Sequence, residues 1–284
     1  MDALTWNNDS YFDGMEAQVI KRMSHGIEMQ GSYTWSRAID GGDGSIASDS
    51  FVNSIPALLY FLPKYRRAPS DFNITHNLTV NYLWNIPTFQ ALHGPAAWAA
   101  KGWQLGGIMQ IRSGMPFTPL IGGDPLGLTD SAPFAYPNRI TGGNCATPVN
   151  PGNPNNYINM NCFTLPMANP SIASLCVPYV PNGVVSQGTG TCSNLLGNGG
   201  RNEVYGPGLV DFDFSVVKDN HIGERWDVQF RAELFNAFNR ANFNPPLVNN
   251  VLFNQDGSIN PAAGALDSTA TSSRQVQFAL KVIF

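Results

Sequence analysis

Charge is what this sequence has least of. Asp, Glu, Lys and Arg make up 13% of its 284 residues, about half the share usual in soluble domains. A net charge of −4 gives no argument for a nucleic-acid partner, and the largest basic cluster, Lys64-Tyr-Arg-Arg67, reads as a solvated loop. Long apolar runs are missing too. No stretch of even fifteen consecutive apolar residues exists, which excludes a membrane-spanning helix. The start, Met1-Asp-Ala-Leu-Thr-Trp-Asn-Asn-Asp9, is neither basic nor apolar and is no secretory signal; an exported chain of this kind is expected to be a fragment. Cysteine is confined to Cys145, Cys162, Cys176 and Cys192, within one polar stretch rich in Pro, Gly and Asn, and no Cys-x-x-Cys pair occurs. Two disulfides in an oxidising compartment are therefore favoured over a zinc site. Three pairings are open, and short loops favour Cys145 with Cys162 and Cys176 with Cys192.

What the chain does have is alternation. Its end, Arg274-Gln-Val-Gln-Phe-Ala-Leu-Lys-Val-Ile-Phe284, sets Val276, Phe278, Leu280, Val282 and Phe284 against Gln275, Gln277, Ala279, Lys281 and Ile283. That is a strand of period two with one apolar face and an aromatic terminus, the form needed to cross a bilayer in a closed barrel. The same pattern recurs at residues 11–22, 27–36, 76–84, 103–112, 210–217 and 226–234, so about seven strands are expected. The stretch Ala232-Glu-Leu-Phe-Asn-Ala-Phe238 also fits helical spacing. Between the strands, residues 37–75, 113–208 and 239–273 read as long irregular loops, whereas the turn at Met23-Ser-His-Gly26, residues 85–102 and the turn at Asp219-Asn-His-Ile-Gly223 are shorter.

The connections thus alternate short and long. In outer-membrane barrels the short turns face the periplasm and the long loops face outward. The fold class expected is all-β, an antiparallel transmembrane β-barrel segment with long extracellular loops, and a soluble sandwich would not require that alternation. Seven antiparallel strands do not close on themselves, because the first and last would run parallel. Partner strands are expected upstream or in another chain, since an open edge in lipid is costly. The lumen-facing set is read as Glu16, Glu28, Asp211, Asp213, Asp227, Arg231, Glu233 and Lys281. Even-sum pairing about a turn near Asp219 puts Arg231 opposite Asp211 or Asp213 as a lumen ion pair, whose role is structural neutralisation rather than ligand binding.

No catalytic, cofactor or metal constellation is found. His25, His76, His93 and His221 fall at strand ends or turns with no partner pattern, and Gly197-Asn-Gly-Gly200 lacks the strand–glycine–helix context of a phosphate loop, so loop flexibility accounts for it. The chain is expected not to be an enzyme.

Several segments in order carry a resemblance: Gly31-Ser-Tyr-Thr-Trp-Ser36, Ala68-Pro-Ser-Asp-Phe-Asn-Ile-Thr-His76, Gly102-Trp-Gln-Leu-Gly-Gly-Ile108 with Met115-Pro-Phe-Thr118, Phe230-Arg-Ala-Glu-Leu-Phe-Asn-Ala-Phe-Asn-Arg240, and the final strand. Together they resemble the C-terminal barrel part of TonB-dependent transporters of the Oar-like type. The resemblance implies that residues 1–284 are the last third of an outer-membrane barrel of about 22 strands, without its plug and N-terminal regions. It implies outer-membrane lipid, the barrel-assembly machinery, which would read Phe284, and TonB through the missing plug as partners. The implied function is energy-coupled uptake of an oligosaccharide, peptide or metal chelate; the alternative is surface adhesion.

Overall fold

Alternating side chains become one antiparallel sheet. The computed structural model describes residues 9–41, 67–87, 94–123, 135–166, 195–223 and 225–284. Its seven long strands are β1 (Tyr11–Ser24), β2 (Ile27–Asp40), β3 (His76–Asn85), β4 (Trp103–Arg112), β5 (Leu209–Ile222), β6 (Trp226–Phe235) and β7 (Gln275–Ile283). Each pairs antiparallel with its neighbours in this order, and a two-residue strand, Ala68–Pro69, adds to the end of β2. The sheet is open: the outer edges of β1 and β7 have no ladder partner among the described residues.

Register decides facing. Met29 pairs with Tyr82, Tyr82 with Gly107, Gly107 with Phe214, Phe214 with Leu234, and Leu234 with Val276. Residues paired in a ladder share a face, so these six belong to one apolar surface. On the other face Thr34 pairs with Glu16 and Asn77, Gln110 with Asp211, Ile108 with Asp213, Glu28 with Leu83, Glu233 with Ser215, and Lys281 with Gln229. All eight residues Glu16, Glu28, Asp211, Asp213, Asp227, Arg231, Glu233 and Lys281 fall on this polar face. The apolar face is bare, with Phe278 68% and Leu280 69% exposed. Water does not tolerate so large an apolar surface. From the Ile27–Trp84 row to the Trp35–His76 row is eight residue steps, a strand length at the lower end of the about nine to eleven residues with which a tilted strand crosses a bilayer.

The strands overrun their expected ends. β2 continues through Asp40, pairing with Tyr11, Phe12 and Asp13 of β1 and with Ala68–Pro69. Alternation fades there because Ser36, Ala38 and Asp40 are buried by protein, so burial rather than lipid sets their pattern. β5 runs on to Ile222, which pairs with Trp226. Asp219 and His221 stay in the ladder opposite Gln229 and Asp227, where Asp219 accepts from Gln229 Nε2 at 2.8 Å. This longer hairpin overturns the expected ion pair. Arg231 lies opposite Val217, not Asp211 or Asp213, and its guanidinium sits 3.6 Å from Glu233 on its own strand. The helix-compatible stretch Ala232–Phe238 is strand to Phe235 and then turns at Asn236, whose φ is 46°.

The β1–β2 turn is shorter than Met23–Gly26, with Ser24 pairing Ile27 around His25 (φ 54°) and Gly26 (φ 78°). Two consecutive positive φ values are the signature of a tight primed hairpin turn. The connection between β3 and β4, expected only to be a shorter link, contains a six-residue helix, α1 (Pro95–Ala100). Pro95 suits its first turn.

Phe214 lies mid-strand on the apolar face and Ser215 on the polar one. In lipid, Phe214→Arg is expected to cost about 2 to 4 kcal/mol and Ser215→Arg little, measured by denaturant unfolding in a bilayer. Equal costs would overturn the facing.

Candidate functional site: the cap at the long-loop end

The long loops fold rather than trail. Pro116–Phe117 pairs with Val204–Tyr205, Asn138–Arg139 with Phe163–Thr164, and Leu120–Ile121 runs parallel to Val251–Phe253. The last pairing joins the loop after β4 to the loop after β6. Phe117, Ile121, Ile158, Cys162, Val204 and Leu252 are sealed from solvent in a shared core. The described part of residues 113–208, expected to be irregular, is thus a folded cap. Cys145 and Cys162, 17 residues apart, are disulfide-bonded within it, a loop closure worth about 3 kcal/mol in the chain-entropy account. Cys176 and Cys192 lie outside the described residues.

A buried ionic clamp fastens the cap to the sheet. Arg201 Nη2 donates to the Asp40 carboxylate and, at 3.1 Å, to the Asp40 carbonyl, while Nη1 lies 3.5 Å from Asp71 Oδ1. Arg201, Asp40 and Asp71 are all buried. Beside them Asn202 donates from its side chain to Asp71 and to the Pro69 carbonyl at 2.8 Å, and from its backbone to Thr118 Oγ1 at 2.9 Å. Asn250 closes the ring by donating to the Thr118 carbonyl at 2.9 Å. Five separated segments meet in one polar knot.

The clamp also places the cap. Ser36, Ala38 and Asp40 have the parity of Glu28 and Thr34, so the cap rests on the polar face's extension. At the far side Asn236 N donates to Asp213 Oδ1 at 2.9 Å, and the Asn242 amide brackets Val210 by accepting from its N–H and donating to its carbonyl, both at 3.0 Å. Between the segment leading into β5 and the loop after β6, a cleft of about 400 Å³ opens, lined by Pro154, Tyr157, Pro207, Arg240 and Phe243. It joins aromatic and proline surfaces to one guanidinium, a lining able to hold a small polar or anionic molecule.

The residues singled out in the sequence distribute as follows. The glycine run is packed, not loose: a side chain at Gly197 would strike the Pro137 carbonyl group, and Gly197 and Gly199 donate to the carbonyls of Tyr136 and Pro137 at 2.8 and 3.0 Å. His25 is in the first turn and His76 accepts or donates a hydrogen bond with Tyr33 Oη at 2.8 Å. His221, expected in the turn, is in the β5–β6 ladder and bonds to Asp227 on the polar face; the longer β5 brings them opposite. His93 lies outside the described residues. The clamp was missed. Its trace in the sequence is that residues 140–200 contain no Asp, Glu, Lys or Arg, so Arg201 is the first charge after 61 uncharged positions.

Beside the clamp, Glu203 is pushed up to about 7 by burial, partly offset by Arg139 and a Gly200 backbone hydrogen bond. One of its oxygens, Oε1, is sealed in without a hydrogen-bond partner among the described residues. The folded cap therefore prefers Glu203 protonated. Its contribution is most favourable below about 4.5, fades as pH rises toward about 7, and stays lost above it. Cap unfolding followed by proteolysis across that range should show this fall, and Glu203→Gln should flatten it. Arg201→Ala strips the guanidinium from two buried carboxylates and should destabilise the cap by about 3 to 5 kcal/mol, read by the same proteolysis; an unchanged cap would mean the clamp carries no load.

No curated protein and no solved structure matches the chain. A family model described as an outer membrane beta barrel domain matches residues 1–277, nearly the whole chain. Its strands, bare apolar face and polar opposite face are those of such a domain, which resides in the outer membrane. The chain belongs to the outer membrane beta barrel domain family.

Proposed function

We propose that this chain is the C-terminal part of the barrel of a TonB-dependent outer-membrane transporter that takes up a nutrient such as an oligosaccharide, a peptide or a metal chelate. The observation that carries the reading is the cap seated on the polar face. A conduit needs a hydrated wall, and a receptor needs a shaped surface at its mouth; here one continues into the other through Asp40, Asp213 and Val210. The sequence blocks described above supply the TonB-dependent character. The two sheet edges without a partner among the described residues call for further strands, because an unpaired edge in hydrocarbon costs several kcal/mol per group.

In this reading the polar face, with its eight charged residues, is the lumen wall, the cap is extracellular, and the short turns lie in the periplasm. The barrel carries no catalytic step. Gating belongs to a plug and its TonB contact, outside this chain. Adhesion is the second reading, favoured by the same disulfide-braced cap, since a stable outward surface serves binding whether or not anything passes beneath it.

The two readings separate in cells making the whole protein. Uptake of a labelled oligosaccharide, an oligopeptide and a ferric chelate is compared with and without the TonB energy-coupling partner. Transport predicts that one probe accumulates only when coupling is intact. Surface binding that persists without coupling, with no probe accumulating, would overturn it in favour of adhesion.

A further inference from the structure

The helix α1 sits on an unexpected side of the sheet. Its last-turn carbonyls are taken by two side chains rather than left to solvent: Lys218 Nζ donates to Trp98 O at 2.9 Å and to Lys101 O, and Trp103 Nε1 donates to Ala99 O at 2.8 Å. The third Lys218 hydrogen reaches Asn220 Oδ1 at 2.9 Å. Register pairs Lys218 with Trp103 and Phe230, so both donors stand on the apolar face. The helix they hold must lie against that face, outside the sheet's polar side.

Two further observations define the neighbourhood. Lys218 is buried although its row faces outward, enclosed between the rings of Trp98 and Trp103 at 5.7 and 5.5 Å. Trp84, Trp103, Trp226 and Phe284 share this face at the short-turn end, with the Trp226 and Phe284 rings 5.3 Å apart. That is an aromatic belt of the kind that marks a bilayer boundary. Trp98, one wall of that clamp, is still 57% exposed.

We infer that α1 is an interfacial helix embedded in the headgroup boundary of the leaflet at the short-turn end, with Trp98 anchored in lipid. In water a six-residue helix needs no side-chain donors for its last carbonyls, because solvent provides them. At a lipid boundary it does, and a cation at the helix C-terminus also meets the favourable end of its dipole. The partner is therefore a phospholipid surface, and the sequence Pro95-Ala-Ala-Trp-Ala-Ala100, without a charge, suits it.

The test uses the full-length protein in vesicles of phosphatidylethanolamine and phosphatidylglycerol. Trp98→Cys carries an environment-sensitive fluorophore, and the unsubstituted protein treated alike gives the background. Phe278→Cys reports the sheet's apolar face and Ser215→Cys its polar face. The expected result is blue-shifted emission at position 98, quenched more by nitroxide near the lipid headgroup than by nitroxide deep in the acyl chains, and protected from acrylamide. A label at 98 open to acrylamide and blind to lipid nitroxide, while the label at 278 is quenched by lipid, overturns the helix placement alone. Loss of lipid quenching at 278 as well overturns the facing on which it rests.

Discussion

Hydrocarbon offers a peptide group nothing to bond with, and this chain is arranged around that fact. Seven strands hand their N–H and C=O groups to one another in a continuous antiparallel ladder, and only the outer edges of β1 and β7 lack a neighbour among the described residues. The same constraint governs the smallest element. The last turn of α1 does not leave its carbonyls to chance but receives hydrogens from Lys218 and Trp103. A lysine on an apolar face would be an error in any other setting; there it supplies donors where water is scarce.

The two ends of the sheet resolve their polar groups differently. At the short-turn end, aromatic rings and a clamped helix stand on the apolar side. At the long-loop end, the chain crosses to the polar side and builds a second core there. Burying Arg201 with Asp40 and Asp71 gives up hydration on three ions, a cost repaid only by close pairing and additional hydrogen bonds, which Asn202 and the Asp40 carbonyl provide. Such a knot is worth more as a fixing of position than as net stability: it specifies which loop meets which strand.

The sheet was legible because lipid imposes a strict period on sequence. Met29, Tyr82, Phe214 and Val276 had to be apolar, whereas the other face was free to mix Glu28 and Asp213 with Leu83 and Ile108, so facing could be read from the apolar set. Register was legible only to its parity. Whether Arg231 met Asp213 or Val217 depended on how far β5 ran, and Asp219, Asn220 and His221 look like turn residues while serving in the ladder. The cap was illegible for a different reason. Strands of two or three residues, such as Leu120–Ile121, hold no period, and Phe117, Tyr157 and Leu252 become a core only once three distant segments meet. Arg201 stands out as the first charge after a long uncharged run, but nothing local named Asp40, 161 positions away, as its partner.

That shared core changes how the loops can diverge. Loops on membrane barrels ordinarily lengthen, shorten and swap with little consequence, since each is anchored only by its own two strands. Here Phe117 and Ile121 come from one loop and Leu252 and Phe253 from another, and they lie in one sealed cluster. A loop transplanted singly to another barrel would arrive with its apolar residues bare and leave a hole behind. Heritable change in this surface is therefore confined to its outer residues, or else must come as coordinated replacement of the whole cap.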